Sequence, residues 1–297
     1  MGDRAMDSGG ESAAETFMGL RSLLFTVAYQ MLGSAADAED AVQETWLRWS
    51  GVDHDTVQDP RAYLVRITTR QALTRLRTLR RRKESYVGPW LPEPLLTAPD
   101  VAEDVELADT VSMAMLLVLE TLTPTERAVF VLREVFALAY DEIADAVGKT
   151  PTAVRQVAHR AREHVQARRP RVEVSATASR AAIEAFRRAI ETGDLQGLLD
   201  ILAPGVVMLA DGGGIVQAVR VPVVGAAKVA RLLSKVPARV TLHLAHVNGH
   251  PALVGRLDGE LDTVIGLRID DGLITELYAV RNPDKLSHMW RETALSR

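Results

Sequence analysis

Two capped helix starts on either side of a glycine constrain this chain more than anything else in it. Thr123-Pro124-Thr125-Glu126 combines an N-cap threonine, a proline in the first turn and a glutamate placed to close a capping box. The helix it opens reads LTPTERAVFVLREVF. A short helix, AYDEIADAVG, follows, with Ile143, Ala144 and Val147 inward and Gly148 where a helix C-cap belongs. Thr150-Pro151 then opens PTAVRQVAHRAREHVQ, whose inward residues are Val154, Ala158 and Ala161. From Leu122 to Val165 the pattern is two helices joined by a tight glycine turn.

That geometry lays the second helix in the major groove of DNA. Arg155, Gln156, His159 and Arg160 face outward from it. Arginine pairs bidentately with guanine edges and glutamine with adenine edges, so these types suit base readout. Arg162, Arg168 and Arg169 suit phosphates, which position a protein without specifying sequence. A plain helical hairpin in an all-α core is the bland alternative, and the caps, the turn and the basic face together argue against it. His159 has no second ligand at metal spacing, so neither a metal nor a cofactor is expected.

The net charge of −4 conceals strong segregation. Arg61 to Lys83 holds nine basic residues and no acid, whereas Glu84 to Glu126 holds nine acids and neither lysine nor arginine. A basic block beside an acidic one suggests an anion-binding surface and a segment that masks or insulates it. The absence of cysteine excludes disulfides, thiol catalysis and cysteine-ligated zinc, and a cytoplasmic location is the simplest expectation. No apolar run approaches the ~20 residues that span a bilayer, and Met1 to Gly10 is polar and lacks the hydrophobic stretch expected of a signal peptide.

At 297 residues the chain has room for two or three domains. The first ten residues are expected to lack structure. Helical period then runs from Glu15 to about Arg82. The first helix buries Phe17, Leu20, Leu24, Ala28 and Met31, and Gly33 ends it. Ser34 with Asp37 opens a second helix, with Ala38, Val42, Thr45, Trp46 and Trp49 on one side. Pro60 introduces a third, with Val65, Ala72, Leu76 and Leu79 inward and an arginine stripe opposite. Residues 84–108 read as a linker, because GPWLPEPLLTAPD carries four prolines. Beyond Pro170 come a helix from Ser179 to Thr192, a shorter one near Leu195 to Leu202, and the β-like runs VVMLA, VTLHL, ALVGRL, TVIGLRI and LITELYAV. A helical stretch, Ala226 to Leu233, interrupts them, and the whole reads as a separate α+β domain.

Asp37-Ala-Glu-Asp-Ala-Val-Gln-Glu-Thr-Trp46 resembles the polymerase-clamp-binding helix of bacterial sigma factors. PRAYLVRITTRQALTRLR is similar to their promoter-melting helix, and LTPTERAVFVLREVFALAYDEIADAVG…AVRQVAHRAR to their upstream-element reader. Order and spacing match the extracytoplasmic-function (ECF) group over residues 15–168. Trp90-Leu-Pro-Glu-Pro94, Asp211-Gly-Gly-Gly214 and Asn282-Pro-Asp-Lys-Leu286 resemble signatures of members with a fused SnoaL-like extension. Ile215 stands where the glycine motif usually continues with lysine; Lys149, Ala139 and Gln71 also depart from the common pattern.

The resemblance implies a multidomain protein: two all-α sigma domains, at 12–83 and 109–170, joined by the acidic 84–108 linker and followed at 171–297 by an α+β cone of NTF2-like fold. It implies docking on the polymerase β′ clamp through Asp37, Asp40, Gln43, Glu44 and Leu47. Arg66, Thr69, Arg70, Thr74 and Arg77 would engage the −10 promoter element, with Arg75, Arg80, Arg81 and Arg82 adding phosphate affinity. Arg155, Gln156, His159, Arg160 and Arg162 would read the −35 element. The extension would act in cis in place of a separate anti-sigma protein, through Trp90, Pro92, Asp211, Gly212, Gly213, Gly214, Asn282, Pro283, Asp284 and Lys285. The bland alternative is a turn at Gly212 to Gly214 and a helix stop at Asn282-Pro283.

Two further readings compete. A one-component transcription regulator with a ligand-sensing cone would need neither a clamp helix nor a melting helix. An enzyme would need Asp211, His243, His246, Asp262 and Tyr278 to converge in one pocket. Isolated histidines on strands are more often surface or core residues, so no catalytic activity is expected.

Overall fold

The computed structural model describes residues 5–98, 101, 104–168 and 176–297. The chain divides into two compact units, each assembled from separated stretches. One comprises Met1–Arg82, Val118–Arg169 and Ala294–Arg297; the other comprises Lys83–Leu117 and Pro170–Thr293. Of the ten N-terminal residues expected to lack structure, 1–4 lie outside the described residues, and Ala5 onward begins a helix. Arg169 and Pro170 also lie outside them.

The first unit is helical. Its α1 (Ala5–Leu32) buries Phe17, Leu24, Ala28 and Met31 along the expected stripe. Gly33, at φ +67, lets the chain turn out of α1. Ser34 then caps α2 (Ala35–Trp49), its side chain accepting from Asp37 N. The helix α3 (Pro60–Glu84) packs through Leu64, Val65, Ala72, Leu76 and Leu79. It is joined to α2 by a hydrogen bond between the buried Thr45 and Thr68 hydroxyls at 3.1 Å. Trp49 fixes α1 against α2, its indole N–H donating to Ala13 O at 2.9 Å.

The same unit contains α6 (Pro124–Phe130), α7 (Tyr140–Val147) and α8 (Pro151–Gln166). The capping box on Thr123 and Glu126 forms as the sequence requires. Gly148 takes the left-handed conformation at φ +66 that turns α7 into α8, and Thr150 caps the latter. The run expected as one helix through Phe136 instead loosens into a π-helical turn at Val131–Val135. Arg127 is 2% exposed: its Nε donates to Gln30 O of α1 at 2.8 Å and its Nη1 to Glu120 at 2.9 Å. Ser296 N–H donates to the Thr26 hydroxyl of α1 at 3.1 Å.

The second unit is the mixed α+β fold expected after Pro170. Its helices are α4 (Val105–Val111), the start of α5 (Met113–Glu120), α9 (Ala176–Thr192), α10 (Leu195–Ile201), α11 (Ala226–Leu233) and α12 (Pro283–Leu286). Its strands are β1 (Leu202–Asp211), β2 (Val223–Val224), β3 (Val240–Val247), β4 (His250–Leu257), β5 (Glu260–Asp270) and β6 (Leu273–Val280). They form one sheet in the order β2-β1-β6-β5-β4-β3, antiparallel except for the parallel pair β1–β6. The two-residue β2 has no counterpart among the expected runs.

Each face of the sheet carries its own apolar core. Phe186, Ile183 and Ile190 of α9, Leu198 of α10 and Val229 and Leu233 of α11 cover one face. The other is covered by Leu91, Met113, Leu286 and Met289, with Leu96 and Leu117 packed alongside. The proline-rich segment is therefore extended, as its composition requires, but it is folded onto the sheet. Leu96 forms an antiparallel bridge with Val247, and Thr97 N–H donates to His246 O at 3.0 Å.

Candidate functional site

The first unit carries the candidate nucleic-acid interface. Arg155, Gln156, His159 and Arg160 are exposed on α8, opposite the buried Val154, Ala158 and Ala161. Arg155 lies over the Tyr140 ring, 5.4 Å from its centroid, and His159 Nε2 stands 3.6 Å from Glu163. Arg162 is instead held by Glu134 at 2.6 Å, which pushes its pKa further up.

On α3, Arg66, Arg70, Thr74 and Arg77 are exposed or half-buried. Arg66 lies over the Tyr63 ring at 5.1 Å, and Arg70 donates to Asp145 O of α7 at 2.7 Å. Thr69 is fully buried on α3, and its hydroxyl does not reach the surface.

The acidic helix α2 exposes Asp40, Gln43 and Leu47, the last with 60% of its surface free. Glu44 is half-buried beside Arg48 at 3.5 Å. Asp37 is only 8% exposed. It is paired with Arg82 at 3.6 Å and Arg75 at 4.0 Å, and Arg75 also reaches Asp40 at 3.2 Å. Four residues expected to face a partner or DNA thus engage one another.

The second unit assembles a buried polar cluster around Asp211, at the end of β1. Parallel pairing with β6 brings the following turn back over this residue, where Asp211 O accepts from Arg281 N and Asn282 N at 2.7 and 2.9 Å. Asn282 caps α12, and one turn later Lys285 reaches Asp211 Oδ2 at 2.7 Å. Asp211 is fully buried. Its carboxylate also accepts from the Tyr86 hydroxyl at 2.5 Å, Leu91 N at 2.9 Å and Gly213 N at 3.1 Å. Lys285 Nζ donates to Leu91 O at 2.6 Å, so the ion pair grips both backbone groups of one linker residue.

Aromatic rings complete the enclosure. Lys285 Nζ lies 3.5 Å from the centroid of Trp90 and 4.8 Å from that of Tyr86, within range of cation–π attraction. Burial lowers the Lys285 pKa against the opposing pull of Asp211. Burial, then the hydrogen bond to Asp211, pushes Tyr86 well above the usual phenol range, so it stays a donor. Asn282 Nδ2 donates to the Tyr86 oxygen at 2.7 Å. Gly213, at φ +63, is needed twice over: a Cβ there would stand 2.4 Å from Asn282 Nδ2.

Of the candidate contacts, Trp90, Asp211, Gly213, Asn282 and Lys285 come together here, and a Cβ on Gly214 would stand 3.1 Å from Val87 of the linker. Gly212 is buried in the turn and Pro92 within the segment, whereas Pro283 and Asp284 are exposed. Tyr86 and Leu91 were not foreseen. A tyrosine and a leucine in a polar segment carry no local signal, and Leu91 acts through its backbone.

The residues weighed for catalysis have separate engagements. Asp211 is taken up as described, Asp262 pairs with Arg281 at 2.7 Å, and the buried Tyr278 donates to Glu276. His243 is exposed on the edge strand β3.

Residues 16–82 match the family model of Sigma-70 region 2, and residues 112–165 that of Sigma-70, region 4. Region 2 followed by region 4 is the make-up of a sigma-type transcription initiation factor. The ECF RNA polymerase sigma factor SigJ of Mycobacterium tuberculosis is 35% identical over 292 residues, covering 91% of this chain and 92% of that one. A probable ECF RNA polymerase sigma factor of the same species, SigI, is 34% identical over 278 residues, covering 92% and 94%. The crystal structure of M. tuberculosis SigJ superposes with a TM-score of 0.75 at 32% identity, covering 93% of this chain and 98% of that one.

The chain belongs to the ECF RNA polymerase sigma factor family. It is a promoter-directing initiation factor, and a free-standing regulator is not favoured. Among the described residues no helix is long and apolar enough to cross a membrane.

Proposed function

We propose that the C-terminal α+β domain controls this sigma factor in cis by holding the segment that joins region 2 to region 4. The observation that carries the reading is the grip of the Asp211–Lys285 pair on Leu91, closed by Tyr86 and Trp90. An intramolecular grip of this kind takes the place of a separate anti-sigma protein. In the active factor, Asp37, Asp40, Gln43, Glu44 and Leu47 dock on the polymerase β′ clamp. Arg66, Arg70, Thr74 and Arg77 engage the −10 element, and Arg155, Gln156, His159 and Arg160 read the −35 element. Arg162 contributes only after parting from Glu134. The protein acts in the cytoplasm and without catalysis of its own.

The test is transcription by core RNA polymerase with full-length protein and with protein ending before Pro170, across a promoter library. Promoter-specific initiation is expected from both, at different levels. Equal activity of the two proteins sinks control in cis. If core gains no promoter-specific initiation from either, the promoter assignments go with it.

A further inference from the structure

Asn248 sits at the tip of the β3–β4 hairpin, a place where a polar residue ordinarily faces water. Here it is 1% exposed. With φ of +55 and +74, Asn248 and Gly249 form a two-residue turn that Asn-Gly favours. The turn itself requires neither a buried carboxamide nor the histidine that follows. Both face the segment between regions 2 and 4. Asn248 Oδ1 accepts from Leu95 N at 3.0 Å, and its Nδ2 donates to Val111 O at 2.9 Å. Its backbone N–H donates to Leu95 O at 2.9 Å, and Gly249 N donates to the Thr97 hydroxyl at 3.0 Å.

His250 Nε2 donates to Ala108 O at 3.1 Å, with Asp109 at 3.8 Å. Ala108 and Val111 belong to the last turn of α4, where helix carbonyls generally take partners from outside the helix, as Asp109 O does from Ser112 N. Asn248 and His250 thus cap α4 from a distant part of the chain. Contact is close enough that a Cβ on Gly249 would stand 2.7 Å from Ala108 Cα.

We propose that the Asn248–His250 tip is a second clasp, an intramolecular binding site for residues 95–97 and 108–111 that works separately from the Asp211–Lys285 pair. It rests on control in cis as read above. The two clasps grip opposite ends of one segment. Tyr86 and Leu91, held by Asp211, follow region 2, whereas Val111, held by Asn248, immediately precedes the region 4 match. Opening the tip releases the entry to region 4 while the end beside region 2 stays bound.

The test uses full-length Asn248→Asp and His250→Phe proteins. Aspartate keeps the acceptor for Leu95 N but places an oxygen against Val111 O; phenylalanine keeps ring volume and removes the donor to Ala108 O. Amide exchange in 104–117 should rise about tenfold, as for the loss of one buried hydrogen bond. Exchange in β1, β5, β6 and residues 86–91 should not change, which reports that the fold is intact. Initiation with core polymerase should change by about threefold or more, in the same direction as for Lys285→Met. Unchanged exchange in both variants overturns the proposal, as does faster exchange without altered initiation. If one variant fails to fold, the other decides. If Lys285→Met alters initiation and the tip variants do not, only the second clasp falls. If none of them does, control in cis falls too.

Discussion

Replacing Lys285 by methionine removes a buried cation and keeps most of its stem. The ion pair it leaves is almost entirely out of water, with side-chain exposures of 4% and 0%. Removing one member of such a pair costs about 3–5 kcal/mol, because the other charge remains buried and uncompensated. Asp211 keeps Tyr86 OH, Leu91 N and Gly213 N as donors, which favours the lower end of that range. Leu91 O loses its charged donor at the same time. A loss of about 3 kcal/mol corresponds to about a hundredfold in the opening equilibrium of the 86–91 segment. Amide exchange at Leu91 reads that equilibrium, and β5 amides serve as the control. Adding Asp211→Asn should cost less than the two single changes summed, since the stranded charge is then gone. Leu91 exchange within about threefold of the unsubstituted protein would refute the reasoning, because a pair that stabilises the segment cannot be removed so cheaply.

Thr69→Val should change stability by less than about 1 kcal/mol, since its buried hydroxyl has no hydrogen-bond partner among the described residues. Promoter affinity in filter binding should be unaltered, whereas Arg66→Ala should weaken it. Gly213→Ala should loosen Tyr86 and Asn282, at a cost of about 1–3 kcal/mol, because it meets both a positive φ and the Asn282 amide. Chemical denaturation of the full chain measures it. His250 has its pKa lowered first by burial, with Asp109 and the Ala108 carbonyl pulling upward and His246 adding to the decrease. The closed tip binds fewer protons than the open one, so its stability holds above pH 6.5, the ordinary value, and is lost as pH falls from there towards the lowered pKa. Exchange in 104–117, corrected for its intrinsic pH dependence, should rise over that window in the unsubstituted protein and not in His250→Phe.

Local chemistry made the helical half legible. Thr123, Gly148 and Thr150 set helix ends through atoms two or three bonds from their own backbone, so their meaning survives without tertiary context. Thr69 shows the limit of such reading. Resemblance groups it with the DNA-contacting residues, while its full burial on α3 carries no signal in the local sequence. The Asp211 cluster was legible only through resemblance. Its members are joined by a parallel pairing of β1 with β6, and no spacing along the chain announces a contact that distant in sequence. Asn248-Gly249 is a turn-forming pair, and nothing along the chain marks its second role, which lies in which backbone it meets. The proline-rich segment advertised extension, not the sheet edge at Val247 that it joins.

The groups that hold Tyr86, Leu91, Leu95 and Val111 belong to residues that a ribosome adds much later. Val111 and all of region 4 are complete before Asp211 exists, and Lys285 follows after a further 74 residues. At about 5–20 residues per second, the interval from the end of region 4 to Lys285 lasts roughly ten seconds. Every newborn chain therefore passes through a period in which both promoter-reading regions are finished and the clasp on their connection is absent. On the proposed reading, restraint is complete only once Lys285, on α12, has been added.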